Sequence, residues 1–182
     1  MVQKRDNKEM EILAHLFNSE VHIRGMEKSI KMPHATLIRK LSKMEKQNIV
    51  DYRIVGKNKQ YFIKRNLKSR KMLEAMENYK LIKFLEKYPS LEPLFEDIIK
   101  KCSSRLIILF GSYAKGIPKL ESDIDVYMET EDQNIKKRAE EINSKLSVKI
   151  GKFNKDSLLI KEIIKNHVIL AGAERFYEYL FD

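Results

Sequence analysis

Two neighbouring segments restrict the fold most. The first is an apolar run at residues 106–110, LIILF, which is followed at once by Gly111. The second is the sequence SDIDV at residues 122–126. A short apolar run that ends at a glycine is typical of a buried strand. In the second segment, alternation points the apolar residues to the core and projects Asp123 and Asp125 together on the other side. Two carboxylates on one side of a strand repel each other unless a positive group lies between them. The segment therefore predicts a strand–turn–strand unit with an acidic site.

Mg²⁺ is the cation expected at this acidic site, because it prefers oxygen ligands and keeps positions for water and phosphate oxygens. Gly111 has no Cβ, which allows a phosphate to approach closely. Ser112 offers its hydroxyl and the free N–H groups of a helix start to phosphate oxygens. Lys115, one turn later, would neutralise part of the remaining charge. These residues together predict a site for a nucleoside triphosphate (NTP) with Mg²⁺.

The whole segment at residues 111–128, GSYAKGIPKLESDIDVYM, resembles the signature of the minimal nucleotidyltransferases within the DNA polymerase beta superfamily. That family's pattern is Gly-Ser, a basic-Gly pair and Ser-Asp-x-Asp on a strand–helix–strand unit, and lysine here replaces the commoner arginine. The matching positions are Gly111, Ser112, Lys115, Gly116, Ser122, Asp123 and Asp125. The resemblance spans roughly residues 90–180 and implies transfer of a nucleoside monophosphate from Mg–NTP to an acceptor. It implies nucleotide binding by Gly111, Ser112, Lys115 and Ser122, and metal binding and catalysis by Asp123 and Asp125.

One position departs from the family pattern, which places a third carboxylate on a later strand beside the aspartate pair. The candidate strand, LSVKIGKF, leaves Ser147 and Lys149 facing the site, and neither is acidic. Glu121 is the nearest acidic alternative along the chain. Three interpretations stay open. The chain is an active nucleotidyltransferase, a transcription regulator whose second domain binds nucleotide or a partner without efficient catalysis, or a scaffold.

Positive charge is confined to the first part of the chain. Residues 1–70 contain 17 Lys and Arg against 7 Asp and Glu, whereas residues 71–182 contain 19 of each. Such asymmetry predicts a basic module that meets a polyanion, joined to a neutral module with a different role.

Residues 8–65 resemble a winged helix-turn-helix domain of transcription regulators. Helical patterns at 8–19, 22–30 and 31–48 are followed by a strand–turn–strand pattern over 49–64. The third helix would be the recognition helix and the hairpin the wing, and both would contact double-stranded DNA. A winged helix that serves only in protein binding or dimerisation is the alternative.

The third helix has an apolar face formed by Leu37, Ile38, Leu41 and Met44. Its other side is predicted to reach bases and phosphates through His34, Thr36, Arg39, Lys40 and Lys43. The wing tip would lie along the neighbouring DNA backbone through Lys57, Asn58 and Lys59.

The predicted fold class is α+β, in three parts. Residues 1–67 form the winged helix-turn-helix domain, residues 68–89 a connecting helix, and residues 90–182 a nucleotidyltransferase-type α/β domain with a small mixed sheet. In the last part strands are predicted at 105–110, 124–129 and 147–153, with only helices from about 156 onward.

The predicted location is the cytoplasm. The chain shows no apolar stretch of membrane-spanning length and no apolar signal segment near its start. Its single cysteine, Cys102, fits a reducing compartment, and its four scattered histidines lack metal-ligand spacing and are predicted to be surface or boundary residues. The expected partners are double-stranded DNA, an NTP and a second copy of the chain. Because some similar minimal nucleotidyltransferases are antitoxins that modify a HEPN-domain protein, the resemblance also implies a protein acceptor of that type.

Overall fold

The chain is described by a computed structural model that covers residues 8–18 and 21–181, apart from the side chains of Val21, His22 and Arg24. Ser19, predicted to be helical, lies outside the described residues. The chain divides into two compact units, Met1–Met76 and Glu77–Asp182, here called the N-terminal unit and the C-terminal unit. The division falls within the predicted connecting helix. Among the described helices, none has the length and apolar content that crossing a membrane requires.

The N-terminal unit contains three helices and a three-stranded antiparallel sheet. Along the chain its elements are α1 (Lys8–Asn18), β1 (Val21–His22), α2 (Ile23–Ile30), α3 (His34–Lys46), β2 (Val50–Val55) and β3 (Asn58–Ile63). The strand order is β1-β3-β2. The predicted three helices and hairpin are therefore confirmed, whereas the two-residue strand β1 was not predicted from the sequence.

Local signals explain where these elements begin and end. Pro33 precedes α3 with a φ of −59°, a value its ring imposes. Asn48, with a φ of 62°, terminates that helix, since asparagine tolerates the left-handed region. The next helix, α4 (Leu67–Lys87), begins after Asn66, whose Oδ1 accepts a hydrogen bond from the Ser69 N–H at 2.9 Å.

The face of α3 that packs into the core differs from the predicted one at two positions. Leu37, Leu41 and Met44 are fully buried as expected. Ile38, however, is 40% exposed, and Lys40, predicted to reach DNA, is buried. Lys40 follows Leu37 by three residues and precedes Met44 by four, so the 3.6-residue helical period places it on the buried face and turns Ile38 outward.

The C-terminal unit contains α5 (Glu92–Lys101), β4 (Ile107–Leu109), α6 (Gly111–Ala114), β5 (Ile124–Glu129), α7 (Gln133–Glu140), β6 (Leu146–Gly151), α8 (Leu158–Lys165), β7 (Val168–Ala171) and α9 (Ala173–Phe181), with a 3-10 turn at Pro89–Leu91. Its sheet has the order β6-β5-β4-β7. Strands β5 and β6 are parallel, while β4 is antiparallel to both β5 and β7. The predicted small mixed sheet is confirmed.

Strand β7 corrects the prediction that only helices follow residue 156. Its sequence, VILA, is a short apolar run, and periodicity alone does not distinguish such a run as strand or helix. Gly172 then ends the strand with a φ of 86°. A Cβ at this position would lie 2.1 Å from the Arg105 carbonyl oxygen, so only glycine fits beside the neighbouring chain segment.

Strands β4 and β7 are continuous apolar runs, whereas β5 and β6 alternate and carry Asp125, Ser147 and Lys149 on one face. On one face, residues such as Val126 and Val148 pack with Phe95 and Ile98 of α5 in one buried cluster. On the other face Tyr127 contacts the ring of Phe153, and its hydroxyl donates to the Gly151 carbonyl at 2.8 Å. Asp125 lies on this second face, at the start of β5.

A buried polar network in the C-terminal unit joins residues of α4 to residues near the end of the chain. The side chains of Glu77 and His167 are each 1% exposed, and His167 Nε2 lies 3.2 Å from Glu77 Oε1. The Tyr177 hydroxyl donates to the same oxygen at 2.8 Å, and Lys80 Nζ lies 2.8 Å from Glu77 Oε2. His167 is therefore a core residue, which corrects the prediction that all four histidines are surface or boundary residues. The side chain of His22 lies outside the described residues.

Candidate functional site

Gly111 and Asp125 meet at the end of β4. Gly111 has a φ of 69°, and a Cβ built on it would lie 2.1 Å from Asp125 Oδ2. The backbone of the preceding residue, Phe110, donates its N–H to the Asp125 carbonyl oxygen at 2.9 Å. Glycine is therefore required at this position twice, by its backbone conformation and by the carboxylate that packs against its Cα.

The two aspartates of the predicted acidic pair differ in environment. Asp123 is exposed and precedes β5, whereas Asp125 is half-buried within the strand. Burial raises the pKa of the Asp125 carboxyl above its usual value, and the negative charge of Asp123 raises it further. A hydrogen bond from Ser147 and the positive charge of Lys149 act in the opposite direction. Asp125 is thus a carboxylate that gains from a nearby cation.

Strand β6 supplies the neighbours predicted for the position of the third acid. Asp125 pairs with Ser147 in the register of the parallel strands, and Tyr127 pairs with Lys149. Ser147 lowers the pKa of the Asp125 carboxyl through its hydroxyl, and Lys149 is exposed. Within the described residues no group of three or more His, Cys, Asp or Glu side chains could hold a metal ion. Ser147 and Lys149, as neighbours of this kind, add a hydroxyl and an ammonium group and no carboxylate.

The other predicted nucleotide-binding residues have intramolecular partners. Lys115 Nζ lies 2.7 Å from Glu162 Oε1 on α8. The Ser122 hydroxyl accepts a hydrogen bond from the Lys119 N–H at 2.8 Å, which closes a turn directly before Asp123. Gly116 adopts a φ of 74°, and its carbonyl oxygen accepts from Lys87 Nζ at 3.3 Å. These contacts fix the loop between α6 and β5.

Residues 96–175 match the family model described as Polymerase beta, Nucleotidyltransferase. The matched stretch contains the predicted nucleotide and metal residues, together with Ser147 and Lys149 on β6. The match supports a nucleotidyltransferase domain in this part of the chain and, in general terms, nucleotidyl transfer. It includes no residue of the N-terminal unit. No curated protein and no solved structure matches the chain.

The predicted DNA-contacting residues of α3 divide into paired and exposed side chains. His34 Nδ1 contacts the Glu27 carboxylate of α2, and Lys43 Nζ lies 2.9 Å from Glu9 Oε1 of α1. Arg39 is exposed and Thr36 is half-buried. With Lys40 buried, Arg39 and Lys43 are the predicted cations that this helix presents to solvent.

The hairpin turn consists of Gly56 and Lys57, since Val55 pairs with Asn58 across the two strands. Gly56 supplies the positive φ of 62° that a two-residue hairpin turn needs at its first position. Lys57, Asn58 and Lys59 are all exposed, but only Lys57 lies in the turn, because Asn58 and Lys59 begin β3. The Lys59 ammonium lies 3.6 Å from the ring centroid of Tyr52, which holds its side chain along the strand.

Sequence reasoning missed the acidic partners of the predicted cationic residues: Glu9, Glu27 and Glu162. Glu9 and Glu27 lie on other helices than their partners Lys43 and His34. Glu162 lies on α8, 47 residues after Lys115 in the sequence. Local spacing carries no signal for such pairs, because helical spacing rules describe only neighbours three or four residues apart.

Proposed function

We propose that the C-terminal unit binds an NTP together with Mg²⁺ and transfers its nucleoside monophosphate to an acceptor, with release of pyrophosphate. The carrying observation is the close approach of Gly111 to Asp125, which brings the predicted phosphate cradle and one carboxylate of the acidic pair together. The family match over residues 96–175 supports the same reaction class.

Asp123 and Asp125 fit one hard divalent cation. Their carboxylates are the ligand type that Mg²⁺ prefers, and the raised pKa of Asp125, which burial and the charge of Asp123 cause, indicates a site where a cation relieves repulsion. When bound, Mg²⁺ supplies stabilisation of the negative charge on phosphate oxygens. The described residues offer two carboxylates here and no third, so one cation is the number that the side chains support.

The protein's own residues have distinct roles in this proposal. The missing Cβ of Gly111 leaves room for the Asp125 carboxylate at the end of β4, and Ser112 in the following turn would offer hydrogen-bond donors to phosphate oxygens. Lys115 would exchange its ion pair with Glu162 for a phosphate contact. Ser122 holds the turn that presents Asp123. Positioning and electrostatic stabilisation of this kind supply most of the catalysis in phosphoryl-type transfer.

A second candidate function is nucleotide binding without efficient transfer, in a protein that regulates transcription. The positions of Ser147 and Lys149 favour it, because a hydroxyl and an ammonium group occupy the side of Asp125 where another carboxylate would be needed. An ammonium at this position already compensates part of the charge of Asp125, which lowers the demand for a second metal ion.

Calorimetry and a pyrophosphate assay test and separate the two candidates. The wild-type protein is titrated with each NTP in the presence of Mg²⁺, and pyrophosphate release is followed in the same solutions after a HEPN-domain protein is added as the acceptor. The double variant Asp123→Asn/Asp125→Asn is expected to lose NTP affinity. The control Glu141→Gln/Asp156→Asn, which removes the same number of charges at two exposed positions, is expected to retain it.

Each outcome identifies one function. Binding with pyrophosphate release supports the transferase, and binding without release supports the regulator. Release that continues at the wild-type rate in the double variant would show that the acidic pair is not the metal site. Failure of the wild-type protein to bind any NTP would overturn both candidates.

We also propose that the N-terminal unit binds double-stranded DNA as a winged helix, with α3 in the major groove and the β2–β3 hairpin along the backbone. Three observations support this proposal. They are the order of helices and strands in the unit, the excess of basic residues before residue 70, and the exposure of Arg39 and Lys57. Contacts of this kind make affinity strongly dependent on salt.

Salt-dependent affinity for duplex DNA is the test of the DNA-binding proposal. An Arg39→Ala/Lys43→Ala variant is expected to bind more weakly. The slope of the logarithm of its binding constant against the logarithm of the salt concentration should be smaller in magnitude by up to about two, roughly one for each lost phosphate contact. The control is Lys100→Ala/Lys101→Ala, which removes two exposed lysines from α5. Unchanged affinity in the first variant would contradict the role of α3.

A further inference from the structure

Ile38 is an exposed apolar side chain on α3, in a depression that the cations Arg39, Lys43 and Lys46 also line. It lines an open depression along α3 together with Ala35, Arg39, Ser42 and Lys46. Ile38 is 40% exposed, whereas the apolar residues Leu37 and Leu41 beside it in sequence are completely buried. Ile38 therefore contributes to the surface of α3 and not to the core of the N-terminal unit.

The charges around Ile38 restrict what its partner is. Arg39, Lys43 and Lys46 are exposed on the same helix, so the partner's surface must be anionic where it meets them. At the position of Ile38 the same partner must offer an apolar group. Ala35 and Ser42, small residues one turn before and after, leave space on both sides of the isoleucine.

Double-stranded DNA meets both requirements within the width of one helix. Its phosphates lie on either side of the major groove, and the floor of that groove carries one apolar group, the 5-methyl of thymine. Duplex RNA has uracil, which lacks this methyl group, and its deep, narrow major groove does not admit side chains.

We propose that Ile38 is a specificity residue that contacts the 5-methyl group of thymine in a DNA site bound by α3. This inference rests on the proposed DNA binding of the N-terminal unit. It assigns direct sequence readout to an apolar residue, while the neighbouring cations Arg39, Lys43 and Lys46 contact the phosphates.

Replacing thymine by deoxyuridine in the bound DNA removes only the methyl group and tests the contact directly. Duplexes that the full-length protein enriches from a random-sequence library are resynthesised with deoxyuridine at one thymine at a time. Affinities are measured by fluorescence anisotropy at constant salt. At one or two positions the loss of the methyl is expected to weaken wild-type binding about fourfold, the effect of one buried methyl group.

The variant Ile38→Ala completes a double-mutant cycle with the same duplexes. It is expected to bind the thymine duplex with correspondingly lower affinity and to be indifferent to deoxyuridine at the sensitive positions. The control Ile99→Ala changes an isoleucine of similar exposure, 42%, on α5 of the C-terminal unit and is expected to keep the full sensitivity. Alanine has the higher helix propensity, so both variants are expected to fold, which far-ultraviolet circular dichroism verifies.

The possible failures are distinguishable. If Ile38→Ala retains the wild-type penalty for deoxyuridine, another side chain reads the methyl group and the inference about Ile38 is wrong. A wild-type protein that binds duplex DNA with salt-dependent affinity, yet tolerates deoxyuridine at every position, likewise overturns it while leaving DNA binding intact. If the protein binds no DNA duplex, or prefers duplex RNA, the proposed function of the N-terminal unit fails as well.

Discussion

Ser147 lies opposite Asp125 in the register of two parallel strands, and its hydroxyl lowers the pKa of the Asp125 carboxyl. This pair occupies the place where an additional acidic ligand would stand beside the aspartates. In the proposed Mg²⁺ site, the identity of residue 147 would therefore determine how many carboxylates face the cation.

The variant Ser147→Asp is expected to bind Mg²⁺ more tightly than the wild-type protein. In the absence of a cation, two carboxylates on neighbouring strands repel, so its melting temperature should fall. Mg²⁺ should reverse that loss, since a ligand at a hundred times its Kd adds about 2.7 kcal/mol to the free energy of unfolding. Thermal unfolding in a Mg²⁺ titration measures both effects, with Ser147→Asn as the uncharged control. Equal Mg²⁺ responses in the two variants would refute the prediction.

The variant Gly111→Ala is expected to destabilise the C-terminal unit more than Gly56→Ala destabilises the N-terminal unit. Both glycines have positive φ values, 69° and 62°, so each substitution costs about 1–2 kcal/mol for the backbone conformation. Only at residue 111 does the added Cβ collide with another group, the Asp125 carboxylate, while a Cβ at residue 56 meets nothing within 4 Å.

Hydrogen exchange measured by mass spectrometry gives the two costs separately. Protection in peptides that contain β4 and β5 should fall strongly in Gly111→Ala, and protection in the β2–β3 hairpin should fall modestly in Gly56→Ala. If the losses are equal, the contact between Gly111 and Asp125 does not constrain this position.

Glu77 is expected to make stability dependent on pH in the acid range. Burial raises the pKa of its carboxyl, but the hydrogen bond and charge of His167 and the charge of Lys80 outweigh this effect and lower the pKa to about 2. The carboxylate therefore stabilises the folded state above about pH 4.5, and this contribution, on the order of 3 kcal/mol, is lost as the pH falls toward 2.

The variant Glu77→Gln should have a lower free energy of unfolding at pH 7 and a weaker decline between pH 6 and 3 than the wild-type protein. Urea unfolding at a series of pH values measures the difference. Glu86→Gln is the control, because Glu86 pairs with Lys83 on the solvent-exposed side of the same helix, and such pairs contribute about 1 kcal/mol or less. A Glu77→Gln profile parallel to that of the wild-type protein would contradict this assignment.

The variant Glu9→Gln is expected to increase affinity for duplex DNA about two- to fivefold at low salt. Glu9 holds Lys43 at 2.9 Å, so phosphate must compete with the carboxylate for this ammonium group. The control Glu11→Gln removes the same charge from the same helix but from a residue that pairs with Lys8. Fluorescence anisotropy with the two variants should show the larger increase for Glu9→Gln, and equal increases would indicate a general charge effect.

The sequence allowed prediction of most elements and of the acidic pair because these depend on local patterns. Alternation in the segment SDIDV placed Ile124 and Val126 in the core, and the strand Ile124–Glu129 was predicted with the observed bounds. In the strand Leu146–Gly151, alternation separated the buried Leu146 and Val148 from Ser147 and Lys149. The strand at Val168–Ala171 was missed, because a four-residue apolar run has no period that separates strand from helix.

What the sequence by itself determined is the chemistry offered along each segment: a glycine after a buried strand, two aspartates on one side of the next, and basic residues gathered before residue 70. Only the tertiary structure decided which of these groups meet. In the folded protein Lys40 is buried and Ile38 is exposed. Lys43 pairs with Glu9, and Lys115 pairs with Glu162. The Asp125 carboxylate packs against Gly111. The physical reason is that such contacts depend on how separate helices and strands pack, and local periodicity contains no information about the rotation or the neighbour of a packed element.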